Sequence, residues 1–458
     1  MATFYIEQFG CRATQADGAA IERQLREQGC VPAGDCVGAD VVVLNTCTVT
    51  AAADAQARDA IRKIHAANPA TRIVVTGCYA QRAPEEIAAL PGVSFVVGNS
   101  HKPQIPALVQ SIASAAETPE REDPTPYHPA PVLAGDIFAI SEVLVAPVLG
   151  GEGNHTRPTL KIQDGCNSRC SFCVIPFVRG KSRSLPVAAV VREIQRLADS
   201  GFREIVLSGI NLGTYGRDLL PRVEFLDLLR QILAETSVQR LRVSSIEPLD
   251  VTQDLIELFA SSERIAAHFH MPLQSASDRI LAKMHRWYRS EHYARRIELI
   301  RARLPHAAIG ADVIAGFPGE AEEDHATTVR FIADRPLTYL HVFSYSPRPG
   351  TKAASLSGQI PGHLIKRRAS ELRWLAEEKA KRFRRSQVGR TLRVLTLRRG
   401  AQDSPWQTPA LSGNYLTVLV PEALPANQWL DVTVSRETER KLIAAPVEAV
   451  LAYRAEAG

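Results

Sequence analysis

Short apolar runs, each followed by a stretch of helical periodicity, recur along most of the 458 residues. Residues 3–9, 40–45, 72–76 and 93–97 read as buried strands rich in Val and Ile, and 17–28, 54–67, 84–90 and 103–115 as the helices after them. That order predicts a parallel α/β unit over residues 1–116. Pro and Gly without a clear period over 117–157 predict a linker. A second series follows, with strands expected at 159–163, 204–208, 241–245, 267–271, 308–315 and 339–345. Helices at 187–198, 225–234, 251–261, 291–303 and 322–333 fall between them. Six such units predict a partial (β/α)6 barrel within 158–385, ending in a long basic helix over 361–385. Beyond it, β-type runs at 392–397, 415–420 and 430–434 predict a small β-barrel over 386–454.

Composition narrows the setting. The chain is 45% hydrophobic and 22% charged with a net charge of +5, ordinary for a globular protein and compatible with an anionic partner. Between Lys379 and Arg399 there are nine Lys and Arg and no Asp or Glu. No basic leader and no run of ~18 apolar residues is present, so no signal peptide or membrane association is expected, and the expected location is cytoplasmic. In a reducing cytosol the eight cysteines point to metal or catalytic chemistry rather than disulfides.

The densest chemistry is Gly165-Cys166-Asn167-Ser168-Arg169-Cys170-Ser171-Phe172-Cys173, directly after the first barrel strand, where barrels place their active sites. Three thiolates this close cannot all pair as disulfides, and structural zinc requires a fourth ligand. Three soft ligands suit an iron–sulfur cubane with one iron left open to a small molecule. Cys11, Cys47 and Cys78 each close one of the first three strands, and ends of parallel strands converge on one edge. They form either a second three-thiolate site or three small buried hydrophobes. Cys30 and Cys36 read as the latter.

The C-x3-C-x2-C loop, with Phe172 before its last Cys, resembles the signature of the radical S-adenosylmethionine (SAM) enzymes. The turn Gly316-Phe317-Pro318-Gly319-Glu320 after Asp312 resembles their adenosine-side motif, although Glu320 is equally a helix-start carboxylate. Ser208-Gly209 resembles the segment that receives the methionine amine of SAM, and by itself is only a turn. With Asn45-Thr46-Cys47, Thr76-Gly77-Cys78 and Met271-Pro272-Leu273-Gln274-Ser275, nearly the whole chain resembles the radical SAM methylthiotransferases.

The resemblance implies two [4Fe-4S] clusters, one on Cys166, Cys170 and Cys173 and one on Cys11, Cys47 and Cys78. It implies SAM as radical source and methyl donor, held near Phe172, Ser208, Gly209, Gln274, Asp312 and Gly316. Ser244-Ser245-Ile246-Glu247-Pro248, residues 343–351 and the basic stretch 177–184 resemble the branch acting on N6-threonylcarbamoyladenosine at position 37 of tRNA. Its implied partners are the anticodon loop and an electron donor such as flavodoxin or ferredoxin. Arg179, Arg183, Glu247, Arg348, Arg382 and Arg385 are the expected substrate contacts, the last two in a basic row that can track phosphates. Other readings are an isopentenyl-type tRNA adenosine, an aspartate of a ribosomal protein, or a non-catalytic RNA-binding iron–sulfur protein. Arg12-Ala13-Thr14-Gln15, Leu185 and Ala276 depart from the branch's usual pattern.

Overall fold

Strand Val41–Thr46 is buried along its whole length. Val42 and Leu44 enter the core on one face of the sheet and Val41 and Val43 the core on the other, because successive side chains point to opposite faces. Burial on both faces is why the sequence shows an unbroken apolar run there. Around it lie Thr3–Gln8, Arg72–Gly77, Val93–Gly98 and the short edge strands Val31–Pro32 and Val132–Leu133, all parallel. Gln8 pairs with Asn45 and Thr46 with Gly77, so this register brings the first three strands to an end on one edge. The computed structural model describes residues 2–114, 129–140, 143, 156–400 and 402–446. Most of the expected 117–157 linker and the final residues expected in the C-terminal unit, 447–454, lie outside the described residues.

The first helix begins at Arg12, five residues before its expected start, with Cys11 as its N-cap. Ala13 and Thr14 are buried, and the Asn45 side chain donates to the Thr14 carbonyl at 2.7 Å. Tertiary packing, not periodicity, starts this helix.

The central unit has the six parallel strands expected: Thr159–Asp164, Glu204–Gly209, Arg240–Val243, His268–His270, Ala308–Ala315 and Tyr339–Ser344. Bridges at Leu241–Ile265 and Ser245–His270 join its two sheets into an open half-barrel. The two-residue strand Arg183–Ser184 adds antiparallel to the first. Helix Asp278–Lys283 also goes beyond the expected elements; it is only six residues long, too short for a clear period. After helix Gly362–Arg385 comes a closed five-stranded barrel. Two of its strands, Thr408–Ser412 and Leu442–Ala444, escape the sequence pattern: one contains Pro409 and the other is three residues long. Among the described residues, no helix is long and apolar enough to cross a membrane.

Buried ion networks fix how these units meet. Asp17, on the first helix, receives Lys102 at 2.5 Å, Arg179 at 2.9 Å and Lys161 of the first barrel strand. Lys161 and Arg179 also hold Asp164, at 2.8 and 2.9 Å. A second lock joins Asp54 and Thr48 to Arg348, with Arg82 at 3.0 Å from Asp54. At the opposite end Glu204 is shared by Arg157, Arg240 and Arg242, and the remaining N–H groups of Arg240 and Arg242 reach the carbonyls of Leu411, Ser412 and Gly413 in the C-terminal barrel.

Two outcomes follow from these networks. Asp17→Ala leaves Lys161 and Arg179 on Asp164 alone and takes the carboxylate from buried Lys102, and should cost about 3–5 kcal/mol in chemical denaturation. Burial pushes the Glu204 carboxyl up, but Arg242, Arg240 and Arg157 outweigh it and hold it at about 2, against 4.5 for an ordinary Glu. Its stabilisation is therefore complete above about pH 4.5 and lost as pH falls towards 2. Urea midpoints should drop across that window, and less steeply in Glu204→Gln.

Candidate active site between two cysteine triplets

Cys166, Cys170 and Cys173 sit on the loop leaving the first barrel strand. Gly165 starts it in left-handed backbone (φ 71°), and a Cβ there would lie 1.9 Å from the Lys181 carbonyl, so only glycine fits. Gln163 ties the turn down by donating to the carbonyls of Asp164 and Gly165. The Ser171 N–H donates to the Met284 carbonyl at 3.0 Å, fastening the middle of the loop. Burial pushes the Cys173 thiol up to about 12, reinforced by Cys170. Burial also raises Cys170, opposed by Arg286, which donates to its Sγ at 3.4 Å and is itself paired with Glu247.

The second triplet occupies the edge where three parallel strands end. Cys11 caps the first helix, Cys47 follows Val41–Thr46, and Cys78 opens helix Cys78–Arg82. Gly10 (φ 106°) lies so close that a Cβ would come within 2.4 Å of Cys47 Cβ and 2.9 Å of its Sγ. Asn99 donates to Cys78 Sγ at 3.6 Å and to the Val178 carbonyl at 2.6 Å. Burial, then Cys78 and Cys11, pushes the Cys47 thiol up to about 12. The three thiols thus sense one another although far apart in sequence.

All six thiols are free. Among the described residues, no three cysteine sulfurs lie within 4.8 Å of one another all at once. Thiolates around a single zinc would sit ~3.8 Å apart, given a Zn–S bond near ~2.3 Å. The wider spacing suits a polynuclear cluster, and a cationic cluster offsets the burial that raises the Cys47, Cys170 and Cys173 thiols.

The triplets face each other. Cys78 packs in one apolar cluster with Val174 and Val178, and Val174 directly follows Cys173. A cavity of about 230 Å³ is lined by Phe172, Cys173, Gln274, Asp312, Phe343 and Tyr345 from the half-barrel and by Val49 and Thr50 just past Cys47. Gln274 holds a left-handed conformation (φ 62°), and its N–H donates to the Asp312 carbonyl at 2.7 Å. Asp312 Oδ1 lies 2.9 Å from His270 Nε2 and 3.2 Å from His341 Nδ1. Burial opposes its ionisation, but those hydrogen bonds hold the carboxyl well below the usual range.

Ser208 is buried, and a Cβ on Gly209 would meet Leu212 at 2.8 Å. The nearby Asn211 Oδ1 is buried without a hydrogen-bond partner, as expected of a group awaiting a ligand. Gly316 (φ 80°) donates its N–H to Glu320 at 2.8 Å, and Arg368 holds the same carboxylate at 2.9 Å. Glu320 therefore braces this turn, and the following helix starts at Glu322.

The expected substrate side chains separate into two groups. Arg179 is buried between Asp17 and Asp164, Arg183 donates to the carbonyls of Arg179 and Lys181, Arg348 is locked to Asp54, and Glu247 is paired with Arg286. Arg179, Arg183 and Arg348 are buried in the walls of the site, and Glu247 remains partly exposed. Arg382 and Arg385 are exposed on the long helix, whereas Arg384 of the same basic row is buried, as are Arg368 and Lys379 earlier on that helix. Sequence reasoning passed over Asp17, Gln163 and Arg286. A lone carboxylate in the Ala- and Gly-rich stretch 16–20 was the available signal for Asp17.

Residues 160–332 match the family model of the Radical SAM superfamily, and residues 3–98 that of "Uncharacterized protein family UPF0004". The chain is 38% identical over 392 residues to threonylcarbamoyladenosine tRNA methylthiotransferase MtaB of Aquifex aeolicus, covering 85% of this chain and 92% of that one. It is 36% identical to the protein of that name in Bacillus subtilis, with 86% and 85% covered. It is 34% identical to the tRNA-2-methylthio-N(6)-dimethylallyladenosine synthase of Sphingopyxis alaskensis, with 98% of each covered. The radical SAM methyltransferase TsrM of Kitasatospora setae, solved with cobalamin and a [4Fe-4S] cluster, shares the fold at a TM-score of 0.56 and 17% identity, with 77% of each chain covered. Fold and site together define a radical SAM protein. Within that class, the chain belongs to the tRNA methylthiotransferases.

Gly10→Ala forces a methyl group into Cys47 and demands a strained φ. After anaerobic reconstitution it should carry about half the iron of the parent chain, with the Cys166–Cys173 loop still loaded.

Proposed function

We propose that this enzyme adds a methylthio group to C2 of N6-threonylcarbamoyladenosine beside the tRNA anticodon, using SAM and two [4Fe-4S] clusters. The observation that carries the reading is the cavity bounded by Cys173 on one wall and by Val49 and Thr50, next to Cys47, on the other. Methylthiolation needs a radical generator and a sulfur donor on opposite sides of one substrate, and the two triplets supply that arrangement. The threonylcarbamoyl preference rests on relatives whose names specify it.

Cys166, Cys170 and Cys173 hold one cluster and Cys11, Cys47 and Cys78 the other. With SAM bound, the first supplies a reductively generated radical and the second the sulfur that is methylated and transferred. The remaining work belongs to the chain. Arg286 places a positive charge on Cys170, favouring its thiolate over the thiol that burial would otherwise preserve. Ser208, Gly209 and Asn211 form the wall that receives the amino-acid end of SAM, and the missing Cβ of Gly209 lets Leu212 and Gln163 pack behind it. Gln274, Asp312 and the Gly316 turn border the adenosine end, and Phe172 packs against Phe317 and Tyr345 to seal it from water. A nucleobase must leave its stack to enter, which a single-stranded loop allows. Arg382 and Arg385 are exposed towards phosphates, Arg385 while paired with Glu437 at 3.4 Å.

A recess of about 620 Å³ lined by Arg169, Cys170, Cys173, His285 and Lys352 reaches the first triplet from outside. It suits docking of an acidic one-electron donor of flavodoxin or ferredoxin type in the cytoplasm.

Nucleoside mass spectrometry of tRNA tests the substrate. A strain lacking this enzyme should lose the methylthio form of threonylcarbamoyladenosine and regain it from the intact gene, but not from Cys166→Ala or Cys47→Ala. Persistence of that nucleoside, or loss of the methylthio form of dimethylallyladenosine instead, overturns the assignment.

A further inference from the structure

Arginines around the half-barrel are neutralised one after another. Arg242 pairs with Glu204 at 2.7 Å, Arg286 with Glu247, Arg348 with Asp54, and Arg179 with Asp17 and Asp164. Arg12 differs. Among the described residues no carboxylate forms an ion pair with it, and its hydrogen bond runs from Nη2 to the neutral hydroxyl of Tyr415 at 3.4 Å. It follows Cys11 directly and is only half-buried.

Tyr415 reaches this point from the C-terminal barrel, in left-handed backbone (φ 65°) that a bulky side chain rarely adopts. The strain is held by neighbours. Asn414 donates to the His306 carbonyl at 3.1 Å and to Gln387 at 3.2 Å, and Ser412 donates to Asn414 at 2.6 Å. The Tyr415 ring stacks on His268 with centroids 4.6 Å apart, under the Arg242 guanidinium at 5.3 Å. From His268 a polar chain runs through the Tyr339 hydroxyl at 2.7 Å and His270 at 2.9 Å to Asp312 in the cavity wall.

This corner carries more positive than negative charge. Glu204 alone faces Arg157, Arg240 and Arg242, and Asp312 is taken up by His270 and His341. Burial, followed by Arg242, His270 and Arg12, drives His268 well below its ordinary pKa, consistent with a local field that lacks an anion.

We propose that Arg12 and Tyr415 form a carboxylate subsite that takes the amino-acid carboxylate on N6 of the substrate adenosine. The inference rests on the function proposed above and names the residues that select its substrate. A guanidinium fork binds a carboxylate bidentately and the phenol adds a third donor. An uncharged N6 substituent leaves that fork desolvated and unpaired, so the same residues reject it.

The test uses the cluster-loaded full chain and anticodon stem–loop RNAs differing only at N6: threonylcarbamoyl, its methyl ester, and unmodified. Fluorescence anisotropy should show the free acid bound about 10- to 100-fold more tightly than the ester. Arg12→Gln should bring that ratio close to one without weakening the ester complex, Arg12→Lys should restore part of it, and Tyr415→Phe should lower it less. Equal affinity of the parent chain for acid and ester overturns the subsite without any variant. So does an Arg12→Gln chain that keeps the preference, or one that weakens all three RNAs alike, which is a phosphate contact. Failure of the parent chain to methylthiolate the free acid at all, judged by mass spectrometry, removes the substrate assignment and the subsite with it.

Discussion

Everything around the site depends on Asp17. This carboxylate on the first helix is buried among Lys102, Lys161 and Arg179, which come from the N-terminal unit, the first barrel strand and the segment after the cysteine loop. Charges taken from water are tolerated only when paired in good geometry, so the cluster forms in one arrangement of the units or not at all. That arrangement sets the strand-end cysteines opposite the loop cysteines. Asp54 and Arg348 repeat the device at the last barrel strand, so the half-barrel is held to its partner at both edges of its opening.

The strands were legible because both faces of the parallel sheets are buried and their Val and Ile runs stand out. The strand-end cysteines were legible because parallel strands end together. What stayed hidden was long-range charge pairing. Arg179 and Asp17 are 162 positions apart, and no local pattern distinguishes an arginine aimed at RNA from one aimed at a buried aspartate. Arg179 and Arg348, two of the six expected substrate contacts, are internal for that reason. The early start of the first helix was hidden likewise, since Arg12-Ala13-Thr14-Gln15 has weak amphipathicity and is made helical by what covers it.

Backbone strain gathers where the units meet. Gly10, Gln274 and Tyr415 all occupy left-handed conformations, one beside Cys47, one in the cavity wall and one stacked on His268. Two of the three are not glycine, so their neighbours must supply what their own geometry lacks. The C-terminal barrel thereby contributes to the interior of the catalytic unit as well.

Cys78 shares an apolar cluster with Val174 and Val178, beyond the partner triplet's last cysteine. The cysteine proposed above to hold one cluster is thus packed with valines of the other module. The two stretches of chain look like exchangeable parts, yet a graft of either onto a foreign partner would leave Cys78 and the valines facing water and the aspartate lock unmatched. In this chain the two cysteine-bearing units are therefore interdependent, and replacing one calls for replacing the other.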